Sequence, residues 1–469
     1  MSALTRAGHG PAPASSLETH VGAGPCPARF TPFLLGALAC GDPGPVVRTI
    51  ALSAPEDTVS AFEPFAVIDP AAPDRIYVGA QYGAGYNRGG MRIWTWSSVD
   101  GGGSWSGTRV VPKAFPPAGQ ALAADLTMAV GPDGTLYHLS LTADSAPTGL
   151  MTAAAALAVS TDGGRTFSPK LVFGTVQTSS PGVMAFTDKS WLAGDYHAAS
   201  PGRGNLYFGW SRNRVDFRDT SVTTSPAFAV SRDGGASLDS VISLSKQGFG
   251  VTMAVRTDGT VDAAWYELRP GGSEGARVLH ASSSDQGRTF GPAELVTELA
   301  DTTQSIELPQ ITAGPGNRLL ICWTQGVAKP DARVDVWCSS RAPDGQWAPP
   351  RAVLSDSARN VVYAFPATAA TDDAFWLLAY AADTVLAVEL YRSAEGSKFT
   401  KATTLVSAVS KAAFCPRPGL PCRRASSAFF PGDYVSLAGS AKRLVAAFGL
   451  PRQDGPAGAS TIMVSVIDP

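Results

Sequence analysis

The chain has 469 residues, 44% of them hydrophobic and only 16% charged, with 49 Gly, 36 Pro and a net charge of −2 at pH 7. Without a basic surplus or a long basic run it lacks the electrostatic footprint of a nucleic-acid binder. It also lacks the uninterrupted apolar stretch of about 20 residues that a membrane-spanning helix needs. Many turn-formers and few charges suit a large all-β body of short strands.

In chain order, the first segment reads as a leader. Arg29 precedes the short apolar run Phe30 to Ala39, which ends at Cys40 and gives way to Gly-Asp-Pro-Gly-Pro. The pattern suits an export signal with a bacterial lipoprotein-type box, in which Cys40 takes the lipid. It is imperfect: Ala37 stands where Leu is usual, and the segment before Arg29 is long and weakly basic. A disordered Pro- and Ala-rich tail is the competing reading. Residues 1–45 are thus expected to be leader and linker, and 46–469 a single domain.

Seven strand pairs then recur, each an apolar strand, a Gly- or Asp-containing turn, and a second strand rich in Tyr or Trp. They fall at 62–80, 125–141, 188–210, 250–266, 308–323, 365–380 and 432–448. After each of the first six comes a third strand, a turn and a fourth strand. The seventh has only a third strand (461–467) before the chain ends. Residues 46–52 can supply its missing partner and remove an open edge. The expected fold is a β-propeller of four-stranded blades, seven by this count. Six remains the alternative if 433–467 packs differently.

The turns before the fourth strands share a phrase, Ser-x-Asp-x-Gly-x-x-aromatic. It occurs at 98–105 (SVDGGGSW), 160–167 (STDGGRTF), 231–238 (SRDGGASL, with Leu for the aromatic) and 283–290 (SSDQGRTF), with weaker echoes at 340–347 and 393–399. The spacing of about fifty to seventy residues suits one blade per repeat. An Asp followed by Gly closes a tight turn, because the carboxylate accepts turn amides and Gly supplies a positive φ. Ser98, Asp100, Trp105, Ser160, Asp162, Phe167, Ser231, Asp233, Ser283, Asp285 and Phe290 are therefore expected to be structural. The phrase resembles the Asp-box, and the chain resembles the sialidase-like BNR-repeat β-propellers over nearly all of 46–469. The phrases TDKSWLAGD and PGDYVSLA resemble stretches of bacterial proteins of that kind.

Four cysteines lie in the expected domain. Cys322 and Cys338 fall on strands read as neighbours, and Cys415 and Cys422 bracket a short Pro-rich loop. Two disulfides would suit an oxidising compartment, with free thiols the alternative. No spacing recommends zinc or a calcium loop, and no cofactor is expected.

Strand direction alternates within a blade, so the Asp-boxes share one face. The long segments 81–90, 112–124, 211–226, 298–307 and 408–432 fall on the other, where the functional mouth is expected. Glu63, Asp125, Asp188, Lys189, Glu307 and Asp433 stand at starts of first strands. Arg212, Arg214, Glu267, Arg269 and Gln325 stand at ends of second strands. Tyr82, Trp191, Tyr266 and Tyr434 could stack on a sugar ring. Many of these could equally serve structure, with Lys189 pairing to Asp188 or Asp433.

The resemblance implies exo-sialidase chemistry. Arg212, Arg214 and Arg269 would then clamp a sugar carboxylate, Tyr434 or Tyr266 would act with Glu267 or Glu307, and Asp125 or Asp188 would move the proton. The Arg-Ile-Pro phrase of active sialidases is missing from 46–110, where FEPFAVIDP stands instead. The favoured reading is therefore an extracytoplasmic, monomeric propeller that binds a glycan or glycoprotein at its mouth. A sialidase or other glycoside hydrolase is the alternative, and an assembly or scaffold protein the third reading.

Overall fold

The computed structural model describes residues 44–52, 60–83, 91–111, 121–145, 151–174, 182–219, 221–269, 275–327, 334–408, 431–452 and 459–469. Residues 1–43, Cys40 among them, and Cys415 and Cys422 lie outside them. Among the described residues the only helical element is the 3-10 turn Pro315–Asn317; the rest is antiparallel strand and turn.

The strands form five four-stranded sheets and one of eight. The first sheet runs Ser60–Ile68, Ile76–Gly83, Arg92–Ser98, Ser106–Val110, and the second Ala121–Val130, Leu136–Ser145, Met151–Ser160, Ser168–Phe173. The third runs Val183–Gly194, Leu206–Asp216, Ser221–Ser231, Ile242–Ser243. In the eight-stranded sheet, Phe249–Val255, Val261–Leu268, Gly275–Ser283 and Glu294–Glu298 make one run of four. Gln304–Ala313, Leu319–Val327, Val334–Arg341 and Arg351–Leu354 make another, and the single pair Gly275 and Ile306 joins them. Val362–Ala370, Phe375–Ala382, Leu386–Ser393 and Thr400–Ala408 follow. The last sheet holds Ser436–Gly439, Leu444–Pro451 and Ser460–Asp468, with Val46–Leu52 paired to its outer side from Val46 opposite Asp468 to Leu52 opposite Ile462.

First strands of successive runs lie against one another, and Ser60–Ile68 also lies against Ser436–Gly439, so the series returns to its start. The arrangement is that of a β-propeller. Second strands are sandwiched between neighbouring sheets, which is why Ile76–Gly83 is buried at every position while Ser106–Val110 is largely exposed. Each junction is filled by a cluster drawn from both sheets: Tyr77 and Met128 share one, as do Leu157 and Phe208, Phe228 and Trp265, Val278 and Trp323, Cys322 and Phe375, Tyr380 and Phe448, and Val464 and Trp96. Each fully buried large side chain contributes about 1.5–3 kcal/mol. The junction of last and first sheets is also stitched by Arg48 Nη2 donating to Gly101 O at 2.6 Å and by Arg443 bridging Asp74 and Asp468.

The Ser-x-Asp turns share one hydrogen-bond pattern. In the second, Ser160 Oγ donates to Asp162 at 2.8 Å and accepts the Gly164 amide at 2.8 Å. The Thr166 amide and hydroxyl both donate to the carboxylate, at 3.0 and 2.6 Å. Ser98 with Asp100, Ser231 with Asp233, and Ser283 with Asp285 repeat it. These bonds, led by that from the hydroxyl of the turn's fifth residue, hold Asp162, Asp233 and Asp285 at about 2 and Asp100 lower still. The aromatics pack inward, Trp105 Nε1 on Gly102 O, Phe167 edge-on to His138 and Phe290 edge-on to Phe228.

The segment 211–226, expected as a loop, is instead a hairpin. Leu206–Asp216 and Ser221–Ser231 stay paired from Leu206 opposite Ser231 to Asp216 opposite Ser221, because the alternation of Arg212, Arg214 and Thr223 outward with Asn213 and Thr224 inward suits a strand. Cys322 and Cys338 are direct cross-strand partners and are joined by a disulfide.

Candidate functional site

The first strands of the first six runs carry the same irregularity. The register with the second strand slips between Phe62 and Phe65, Ala124 and Thr127, Asp188 and Trp191, Phe249 and Thr252, Glu307 and Gln310, and Ala364 and Ala367. Within these bulges Glu63 (φ 51), Asp125 (49), Lys189 (47), Gly250 (68), Leu308 (31) and Phe365 (55) are left-handed, and Gly432 (97) takes the matching place before the last sheet. A left-handed side chain costs about 1–2 kcal/mol. The neighbouring sheet holds it there: Asp125 N donates to Gln81 Oε1 at 3.0 Å, Gly250 N to Ser211 Oγ at 3.0 Å, and Phe365 N to Thr324 Oγ1 at 3.1 Å.

The bulges bring ionisable groups from separate sheets together on the axis. The Lys189 ammonium lies 3.4 Å from Asp125, is in contact with Asp433, and sits 5.9 Å from the centre of the Tyr434 ring. Glu63 is wholly buried, accepts the Asp433 amide at 2.9 Å and is bonded to the Gln81 side-chain amide. Burial lifts its carboxyl well above the usual range, against the pull of Lys189 and with Asp125 and Asp433 adding to the rise. Asp188 accepts the Lys189 amide at 2.8 Å, and burial next to Asp125 raises it to about 7. The Tyr434 hydroxyl donates to Leu126 O at 2.9 Å, and burial beside Glu63 pushes its ionisation well up. Tyr266 is raised likewise, by burial and then by Glu307.

Asp125, Asp188, Lys189, Asp433 and Tyr434 therefore meet, with Glu307 beside Asp433 and Tyr434 on the wall of a small space. The arginines serve elsewhere. Arg212 reaches outward to Ser243 on the fourth strand, Arg214 pairs with Asp216 at 3.2 Å, and Arg269 donates to the carbonyls of Asp301 and Gln304. Glu267 lies 3.8 Å from Arg277, its carboxyl raised by partial burial. Trp191 packs edge-on to Phe65 and lines the axis. Gln81 and Ser190 were not singled out by sequence; a Gln within a Tyr-rich second strand and a Ser flanked by Lys and Trp give no chemical signal of their own.

Three spaces follow the axis. A cavity of about 720 Å³ opens at the Asp-box end, among the turns between first and second strands. Trp191 and Gln310 form the boundary between it and a neck with room for about one water, walled also by Asp125, Lys189, Ser190, Thr252 and Tyr434. The third, equally small, touches Gln310, Glu307, Asp433 and Tyr434. Among the described residues no group of three or more His, Cys, Asp or Glu is placed to hold a metal ion.

No family model matches the chain, and no curated protein matches it. Solved structures do. A Dyadobacter fermentans protein of unknown function aligns over 90% of this chain and 99% of its own, at 13% identity and TM-score 0.48. An α-L-arabinanase of Penicillium chrysogenum, in complex with arabinobiose, aligns over 91% and 99%, at 12% and 0.49. The NanB sialidase of Streptococcus pneumoniae aligns over 73% and 68%, at 9% and 0.46. Likeness of this degree does not extend to activity.

Proposed function

We propose that the chain is an exported, seven-bladed β-propeller that binds a neutral carbohydrate at the axial cluster of Asp125, Asp188, Lys189, Asp433 and Tyr434. Seven blades are supported by the seven runs of strands and by Val46–Leu52 completing the last of them. The Cys322–Cys338 disulfide supports an oxidising compartment. The observation that carries the binding reading is the convergence of these side chains from different sheets, at bulges that strand pairing does not require and that cost backbone strain.

The chemistry of the cluster favours a neutral sugar over a sialic acid. Carboxyls outnumber the single ammonium, and the three arginines that could clamp a sugar carboxylate are engaged elsewhere. A glycan array carrying neutral and sialylated structures tests this. Binding to neutral glycans, lost in Asp188→Asn/Asp433→Asn while the variant still unfolds cooperatively, supports it. Retention of sialylated glycans alone would sink it.

Glycoside hydrolysis is the second reading, favoured by one observation: Asp188, raised to about 7 by burial and by Asp125, is a carboxyl able to exchange a proton near neutrality beside a second one. Turnover of neutral aryl glycosides that disappears in Asp188→Asn would establish it, and no turnover across such a panel would remove it.

A further inference from the structure

We infer that the ligand reaches the axial cluster from the Asp-box end, through the 720 Å³ cavity, and that Ser190 is the contact that receives its leading hydroxyl. This rests on the carbohydrate reading and reverses the face expected from sequence.

The cavity volume lies in the range of small-molecule sites, roughly 300–1,000 Å³. Its walls are the inner edges of the first strands. Apart from the single Gly275–Ile306 pair, each such strand pairs on one side only, with its second strand, so a row of backbone N–H and C=O groups faces the axis. Between those edges lie Phe65, Met128, Trp191, Met253, Ile311 and Leu437. A wall that alternates hydrogen-bonding backbone with aromatic and aliphatic surface suits a sugar chain, whose rings present hydroxyls at their edges and C–H groups on their faces.

The floor of the cavity selects the end of that chain. Trp191 and Gln310 belong both to the cavity and to the neck beyond it. In the neck, Ser190 is 3% exposed and its hydroxyl has no hydrogen-bond partner. A buried hydroxyl without a partner costs about 1–3 kcal/mol, so the fold keeps it at a loss unless something binds there. The neck is too small for a sugar ring and large enough for one hydroxyl oxygen. The geometry therefore takes a chain-terminal hydroxyl into the neck, against Ser190 and beside the Lys189–Asp125 pair, with the first ring resting on Trp191.

The test compares the two ends of the axis. In a chain retaining only Cys322 and Cys338, Ala441→Cys at the cavity rim and Val222→Cys at the tip of the opposite hairpin are each coupled to a polyethylene glycol maleimide; both positions are exposed. Calorimetry then follows maltotetraose, cellotetraose, mannotetraose and arabinotetraose. The expected result is an affinity loss of about tenfold or more for the rim conjugate, with the hairpin conjugate like the parent. Loss only in the hairpin conjugate overturns the route and leaves the carbohydrate reading standing. Absence of binding by the parent chain to any neutral glycan overturns both. Ser190→Ala is expected to weaken binding about three- to tenfold, the worth of one hydrogen bond, while the melting temperature of the free protein rises or stays level because an unpartnered buried hydroxyl is removed. An unchanged affinity in that variant removes Ser190 from the site.

Discussion

The Asp-box turns and the axial bulges use the same residue type in opposite states. In the turns, Asp162 is near the surface, receives its bonds from within five residues of itself, and is held at about 2. At the axis, Asp188 is hemmed in by another carboxyl and held at about 7. Both regions need left-handed backbone. The turns meet that need with paired glycines such as Gly163 and Gly164, whereas the bulges place Glu63, Asp125, Lys189, Leu308 and Phe365 there. Gly250 shows that glycine is accommodated in the same position. Where the backbone carries strain to present a side chain, the side chain is the purpose; where glycine carries it, the turn is.

Four substitutions sharpen that contrast, the largest first. Lys189→Met leaves Asp125 and Asp433 without their shared cation, and a loss of about 2–4 kcal/mol is expected by urea unfolding because both partners are mostly buried. A loss below about 1 kcal/mol would mean that the cluster is solvated. Asp162→Ala removes the acceptor for the Ser160 hydroxyl and for the amide and hydroxyl of Thr166, and about 1–2 kcal/mol is expected.

Asp188→Asn separates the regions by pH. A carboxyl whose folded value is raised contributes stability that is full below its unfolded value, near 4, and is lost as pH rises through about 7. The variant should therefore melt several degrees above the parent at pH 8, with the gap closing towards pH 4. The Asp-box carboxylates have the opposite sign: their contribution is present above about 4 and is lost as pH falls through about 2. A gap for Asp188→Asn that is constant with pH would contradict the raised value. The smallest effect is expected for Gln286→Gly, which relieves the one non-glycine left-handed residue of the four turns and should stabilise by about 0.5–1 kcal/mol.

Most of the fold was legible because its signals are local. An Asp-Gly turn is specified within eight residues, and the first two strands of each run fall where alternating apolar residues and Tyr or Trp place them. Pairing of 46–52 with 461–467 was legible from the odd count of strands in the last run. The cluster was legible only in part. Asp125, Lys189 and Asp433 could be placed at strand starts, yet the bulges depend on side chains of neighbouring sheets, Gln81 at Asp125, Ser211 at Gly250 and Thr324 at Phe365, which no local pattern announces. The arginine clamp failed to assemble for the same reason: strand ends show where a residue sits, while its partners, Ser243, Asp216 and the carbonyls of the next run, decide where it points. The 720 Å³ cavity had no sequence signal, since backbone edges line much of it.

Carbon-13 NMR of aspartate carboxyls, assigned through Asp188→Asn and Asp162→Asn, measures the two environments side by side. The Asp188 resonance should move with a midpoint near pH 7 while those of Asp162, Asp233 and Asp285 stay unmoved down to about pH 3. A midpoint near 4 for all of them would contradict the account, because the axis would then be an ordinary hydrated surface.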